Sequence, residues 1–213
     1  MPSKKSRILS ILKVLHRDYP KSGVSLKYKN PFQLLVVTIL SAQCTDVTAN
    51  RVADCIFKKY KTPTAFSGAR LATFEKEISQ AGLYKSKAKN IIASSKIIAK
   101  KYNNKIPQSM SELIQLPGVG RKTANIILST AFKKREGIAV DTHVKRISMR
   151  LGLTTHLDPN KIEQDLIKII PYKEWLYFNN LLVNHGRKIC NAKSPLCCDC
   201  NINKYCPFKR CRK

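Results

Sequence analysis

Ser109-Met110-Ser111-Glu112-Leu113, Leu116-Pro117-Gly118-Val119-Gly120 and Arg121-Lys122-Thr123-Ala124-Asn125-Ile126-Ile127-Leu128 follow one another almost without interruption. Ser109 and Glu112 have the spacing of a capping box, so a short helix starts there. A second helix starts near Arg121, and the two are joined by a glycine hairpin, giving a helix-hairpin-helix over about 109–132. Gly118 and Gly120 permit positive φ and close backbone approach. Amides of the turn and of the second helix's N-terminus can then face a phosphate, which the helix dipole favours. Such a contact grips a nucleic-acid backbone without reading its sequence. A lone Pro-Gly-x-Gly is more often an ordinary corner. Here Arg121 and Lys122 follow the turn directly and the net charge is +27, which tips the reading toward nucleic acid.

Outward from the hairpin, helical periodicity dominates. Tyr84, Ala88, Ile91, Ile92, Ile98 and Ala99 fall on one helix face, as do Ile162, Leu166, Ile169 and Ile170. Asp158 before Pro159 places a cap ahead of a first-turn proline. Alternating strand patterns are scarce and no repeat of 20–50 residues is present, so the expected fold is all-α, with about ten helices. Lys133-Lys134-Arg135-Glu136-Gly137 separates two apolar stretches and marks the best domain boundary.

Composition narrows the function. With 213 residues and 43% hydrophobic side chains, the chain can bury roughly 70% of the surface its unfolded form exposes, which excludes a disordered basic tail. The 40 Lys and Arg against 13 Asp and Glu are spread along the chain, and self-repulsion of that size is normally tolerated where a polyanion screens it. Leu34 to Leu40 is far short of the roughly 20 residues a membrane span needs. Ile8, Leu9, Ile11, Leu12 and Leu15, interrupted by Lys13, form an amphipathic helix and not a secretory signal. The expectation is a cytoplasmic protein with no membrane partner.

Three sets of residues offer chemistry. Near a helix N-terminus and among many cations an ammonium form is disfavoured, so Lys122 is either an amine nucleophile or a phosphate contact. Asp141, at the end of Ile138-Ala139-Val140, is placed to cap the helix that follows, and a capping carboxylate is also what a cationic transition state needs. His143 reads as a packing or hydrogen-bonding histidine. Cys190, Cys197, Cys200 and Cys206 have the spacing C-x6-C-x2-C-x5-C, so four thiolates can converge within 17 residues. Spacing leaves a zinc site and a [4Fe–4S] cluster both open, and the register between Cys197 and Cys198 ambiguous. Cys198 and Cys211 are spare by this count.

Leu116 to Asn125, Val140-Asp141-Thr142-His143 and the cysteine tail together closely resemble the endonuclease III family of helix-hairpin-helix DNA glycosylases. Ser41-Ala42-Gln43-Cys44-Thr45-Asp46 and Gly82-Leu83-Tyr84 extend the resemblance over nearly the whole chain. It implies a two-lobed, all-α fold with a DNA groove between the lobes. One lobe would be a six-helix domain from about residue 24 to 134. The other would be discontinuous, about 1–23 plus 135–213, ending in a [4Fe–4S] loop over about 190–206. The resemblance further implies a bifunctional enzyme of base excision repair. It would remove oxidised or ring-saturated pyrimidines such as thymine glycol from duplex DNA, then cut 3′ to the abasic site by β-elimination. Lys122 would form the Schiff base and Asp141 would stabilise the charge on the sugar. Gln43 and Leu83 would fill the hole left by the flipped nucleotide. Gly118, Gly120, Arg121, Arg187 and Lys193 would contact phosphates, and Cys190, Cys197, Cys200 and Cys206 would hold the cluster. The expected partner is damaged or abasic double-stranded DNA, bound by a monomer at the nucleoid.

Two alternatives stand beside this one. A monofunctional adenine or mismatch glycosylase of the same superfamily is weighed against by Lys122, and by a chain that ends at Lys213 without a further recognition domain. A non-catalytic, metal-stabilised DNA-binding protein is weighed against by the pairing of Lys122 with Asp141.

Overall fold

A computed structural model of the chain describes residues 4–208. Among them there are eleven α-helices, two 3₁₀ turns and no strand. The helices are α1 (Lys4–Asp18), α2 (Pro31–Ser41), α3 (Asp46–Lys59), α4 (Pro63–Ser67), α5 (Leu71–Glu77), α6 (Tyr84–Lys101), α7 (Met110–Leu113), α8 (Arg121–Phe132), α9 (Thr142–Arg150), α10 (Pro159–Ile169) and α11 (Trp175–Lys188). The chain forms two compact units, Ser25–Glu136 and the discontinuous pair Met1–Val24 with Gly137–Lys213.

The unit Ser25–Glu136 is built around α2. Phe32 and every residue from Leu34 to Leu40 are buried, so this helix is enclosed on all sides and starts at an Asn30 cap followed by Pro31. α3, α6 and α8 pack on it. At one end Phe66 stacks edge-on against Phe32 and Phe74, with ring centroids 5.2 and 5.8 Å apart, and Tyr60 joins the cluster. Ser109 caps α7, its hydroxyl accepting from Glu112 N at 3.4 Å and donating to the Glu112 carboxylate at 2.6 Å, in place of the reciprocal bond to Ser109 N of a full capping box.

In the discontinuous unit, Ile8, Ile11, Leu12 and Leu15 of α1 are buried against α10 and α11, with Phe178, Leu181, Leu182 and Leu166. Leu9, expected with this apolar set, is 52% exposed, because one residue turns a helix by about 100° and carries it off the buried face. Arg7 donates to the carbonyls of Leu151 and Tyr205, both at 2.8 Å, tying the first helix to the last segments. Asp158 caps α10, accepting from Lys161 N at 2.9 Å.

Candidate nucleic-acid interface and cysteine centre

The hairpin between α7 and α8 is shaped by one glycine more than the other. Gly118 has φ +78, and a Cβ there would lie 2.8 Å from Cβ of Asn90. Both the backbone and the neighbour therefore demand glycine. Ser94 of α6 donates to the carbonyl of Pro117 at 2.6 Å and fixes the turn from beneath. Gly120 departs from the expectation of positive φ. It is the N-cap of α8, with φ −86 and ψ 175, because an N-cap needs extended backbone. No side chain caps this helix, and a Cβ at Gly120 would meet nothing within 4 Å, so the α8 N-terminus is open to an anion. Lys122, in the first turn, is exposed beside half-buried Arg121.

Gln43 and Leu83 are brought together by strained backbone. Gln43 follows the C-cap of α2 with φ 49, and Leu83 is the N-cap of α6 with φ 59. Left-handed conformations at non-glycine residues cost about 1–3 kcal/mol each and concentrate at functional sites. A Cβ at Gly82 would lie 3.2 Å from the carbonyl oxygen of Gln43, so the two loops touch through a glycine. Leu83 is not a core leucine: it is 59% exposed. Gln43 is exposed as well. Beneath them lies a residue that the sequence reading did not single out. Lys87, 4% exposed, donates from Nζ to the carbonyl of Leu40 at 2.7 Å.

Asp141 is the N-cap of α9 and accepts from Val144 N at 2.8 Å. His143 accepts at Nδ1 from Arg146 at 3.1 Å, the hydrogen-bonding role expected of it.

Cys190, Cys197, Cys200 and Cys206 line one cavity of about 30 Å³ between α9, α11 and the C-terminal loop. Burial pushes the Cys200 thiol up to about 11, and the other three sulfurs add to the rise. Burial likewise raises Cys206. Thiols so placed become thiolates when a bound cation stabilises them. Donors suited to thiolates are present: Arg150 Nη1 lies 3.2 Å from Cys190 Sγ, and backbone N–H groups of Ile202 and Phe208 point at Cys200 and Cys206. Among the described residues no three Cys, His, Asp or Glu side chains converge tightly enough to chelate a single ion. Four sulfurs lining one cavity fit a thiolate-held metal centre. Cys198 is exposed and disulfide-bonded, and it does not line the cavity; Cys211 lies outside the described residues. Arg187, in the last turn of α11, and Lys193, in the loop after Cys190, are exposed. Among the described residues no helix is long and apolar enough to cross a membrane.

A sequence profile described as HhH-GPD superfamily base excision DNA repair protein matches residues 36–172. The endonuclease III of Synechocystis sp. is 45% identical over 207 residues, covering 97% of this chain and 94% of its own. That of Bacillus subtilis is 42% identical over 189 residues, covering 88% and 86%. A solved structure of a trapped endonuclease III–DNA covalent intermediate superimposes with a TM-score of 0.91 at 40% identity, covering 98% of this chain and 97% of that one. With its glycine hairpin, its capping aspartate and its four-cysteine centre, the chain belongs to the endonuclease III family of the HhH-GPD superfamily of base excision DNA repair proteins.

Proposed function

We infer that this chain is a bifunctional DNA glycosylase and DNA-(apurinic or apyrimidinic site) lyase of base excision repair. It removes oxidised or ring-saturated pyrimidines such as thymine glycol from duplex DNA and cuts 3′ to the resulting abasic site. The observation that carries this reading is Lys122, exposed in the first turn of α8 beside the hairpin, in a chain 40% identical to one solved as a covalent intermediate with DNA. A covalent intermediate needs a nucleophile, and a lysine amine on a sugar carbon forms a Schiff base.

The target nucleotide leaves the stack so that its C1′ can be reached. Exposed Leu83 enters as an apolar wedge, and the Gln43 amide faces the orphaned base. Lys122 Nζ attacks C1′ while the bond to the base breaks and its electron pair departs with the base. The Asp141 carboxylate stabilises positive charge on the sugar and accepts the proton lost by the lysine. The sugar ring opens to an iminium, which acidifies the C2′ hydrogen. Loss of that proton expels the 3′ phosphate by β-elimination, and hydrolysis then frees Lys122. Gly118, Gly120, Arg121, Arg187 and Lys193 hold phosphates without reading bases.

Cys190, Cys197, Cys200 and Cys206 would hold a [4Fe–4S] cluster, which when bound cross-links the C-terminal loop bearing Lys193. The charge of +27 supports a monomer working on DNA at the cytoplasmic nucleoid.

Borohydride trapping on a duplex with one thymine glycol, comparing wild type with Lys122→Ala, tests the assignment. A covalent adduct in wild type alone is expected, with salt-sensitive duplex binding kept in the variant. Undiminished strand cleavage by Lys122→Ala would remove Lys122 from the mechanism. Base release without trapping in wild type would make the enzyme monofunctional.

A further inference from the structure

α2 ends in a place that ordinarily calls for a cation. The last carbonyls of a helix lack intrahelical partners and carry the negative end of its dipole. α2 has no basic residue in its own last turn. The cation comes from another helix: Lys87 of α6 reaches Leu40 O at 2.7 Å. Its side chain is 4% exposed, and burial holds its pKa below the usual lysine value while Cys44 acts in the opposite direction. A buried ammonium is costly, so it persists where its hydrogen bond fixes something.

What it fixes is visible in the backbone. Lys87 N donates to Leu83 O at 3.1 Å, so the same residue holds the first turn of α6 that carries Leu83. Leu40 lies three residues before Gln43, and the chain between them turns through Ser41 and Ala42 into the left-handed conformation at Gln43. Lys87 thus stands in the turn that carries Leu83, and its side chain ties that turn to the end of α2 that leads into Gln43. The contact between Gly82 and the Gln43 carbonyl closes the triangle.

We propose that Lys87 is a positioning residue for base flipping, a buried clamp that sets the spacing and backbone conformation of the Gln43 and Leu83 loops so that the two enter the duplex as one rigid wedge. Lys87 touches neither the reacting atoms nor the DNA; it acts through Leu40 and Leu83. The proposal rests on the wedge assignment of Gln43 and Leu83.

The test uses full-length, cluster-loaded protein carrying Lys87→Met, which keeps the chain length and removes the donor. Schiff-base trapping is compared on a lesion in matched duplex, on the same lesion in an unpaired bubble, and on an abasic site in a single strand. Flipping is followed by 2-aminopurine fluorescence beside the lesion. The expected result is a loss on the order of tenfold or more on matched duplex, with a smaller flipping amplitude, and less than about twofold on bubble and single strand. Added to a Gln43→Ala, Leu83→Ala background, Lys87→Met should cost little further, because the clamp has nothing left to hold. Equal losses on all three substrates, or losses that multiply with the wedge variants, would overturn the proposal. If the wedge variants impair flipping and Lys87→Met does not, the wedge stands and the clamp falls. If the wedge variants themselves are harmless on matched duplex, both fall. Should Lys87→Met fail to fold, Gly82→Ala, on the exposed side of the same contact, must reproduce the duplex-selective loss for the loop coupling to stand, and Lys87→Gln, with a shorter neutral donor, must show it for Lys87.

Discussion

Arg150 donates from Nη1 to the sulfur of Cys190 at 3.2 Å, and its guanidinium also reaches the carbonyls of Asn191 and Ala192 at 2.7 and 2.8 Å. One side chain thus holds the first cysteine and the start of the loop bearing Lys193. Hydrogen bonds from a charged group contribute about 1.5–3 kcal/mol each, and their loss is partly recovered through water at this half-exposed site. Arg150→Met should lower the thermal midpoint by about 5 °C and speed the bleaching of the visible iron–sulfur band under oxidant. An unchanged bleaching rate would show that Arg150 serves the loop alone.

The ligand set can be separated from its neighbour. Cys190→Ser, Cys197→Ser, Cys200→Ser and Cys206→Ser should each lower bound iron and sulfide sharply, whereas Cys198→Ser should leave both at wild-type levels. Iron analysis of the purified variants decides it, and cluster loss in Cys198→Ser would shift the register by one residue.

Gly118 and Gly120 should respond differently to a methyl group. Gly118→Ala meets Asn90 at 2.8 Å with φ +78, and should cost about 1–3 kcal/mol in urea unfolding. Gly120→Ala points into open space from extended backbone and should cost less, on the order of 0.5–1 kcal/mol, because alanine is a poorer N-cap than glycine. Its effect should appear as weaker duplex binding, with the methyl group set at the mouth of the α8 N-terminus.

Asp141→Asn separates capping from catalysis. Asn caps helices about as well as Asp, so the bond to Val144 N and the thermal midpoint should survive. Removing the charge should slow base excision on the order of 10²–10³-fold. A single-turnover rate within threefold of wild type would leave Asp141 only its cap.

The acid limb of stability has an identifiable contributor in Asp165. Hydrogen bonds from Thr154 at 2.6 Å and His156 at 2.9 Å hold its carboxyl below the ordinary 3.8. A depressed carboxyl stabilises the fold above its unfolded pKa and loses that contribution as pH falls through the folded value. The gap in urea midpoint between wild type and Asp165→Asn should therefore be widest above about pH 5 and narrow below about pH 4. A gap independent of pH would assign the effect to packing.

What the chain revealed before folding was local. The Ser109 and Asp158 caps were legible because each is decided within three residues. The cysteine spacing pointed to a metal centre, and it is the folded loop that lines the cavity with Cys197 and leaves Cys198 outside it. The left-handed backbone at Gln43 and Leu83 was illegible, since neither residue type calls for it and long-range contacts impose it. Lys87 was overlooked for a related reason. It falls on the stripe with Ile91, Ser94 and Ile98, where a search for apolar residues passes over a lysine.

The discontinuous unit also bears on how the chain is made. The apolar face of α1 emerges from the ribosome first, but its partners on α10 and α11 follow roughly 150 residues later, a wait on the order of 10 s at ordinary elongation rates. Ser25–Glu136, contiguous in the chain, can fold in that interval while Ile8, Ile11, Leu12 and Leu15 are still uncovered. During synthesis this helix is a natural target for a holdase chaperone, and a truncation before α11 would strand it permanently.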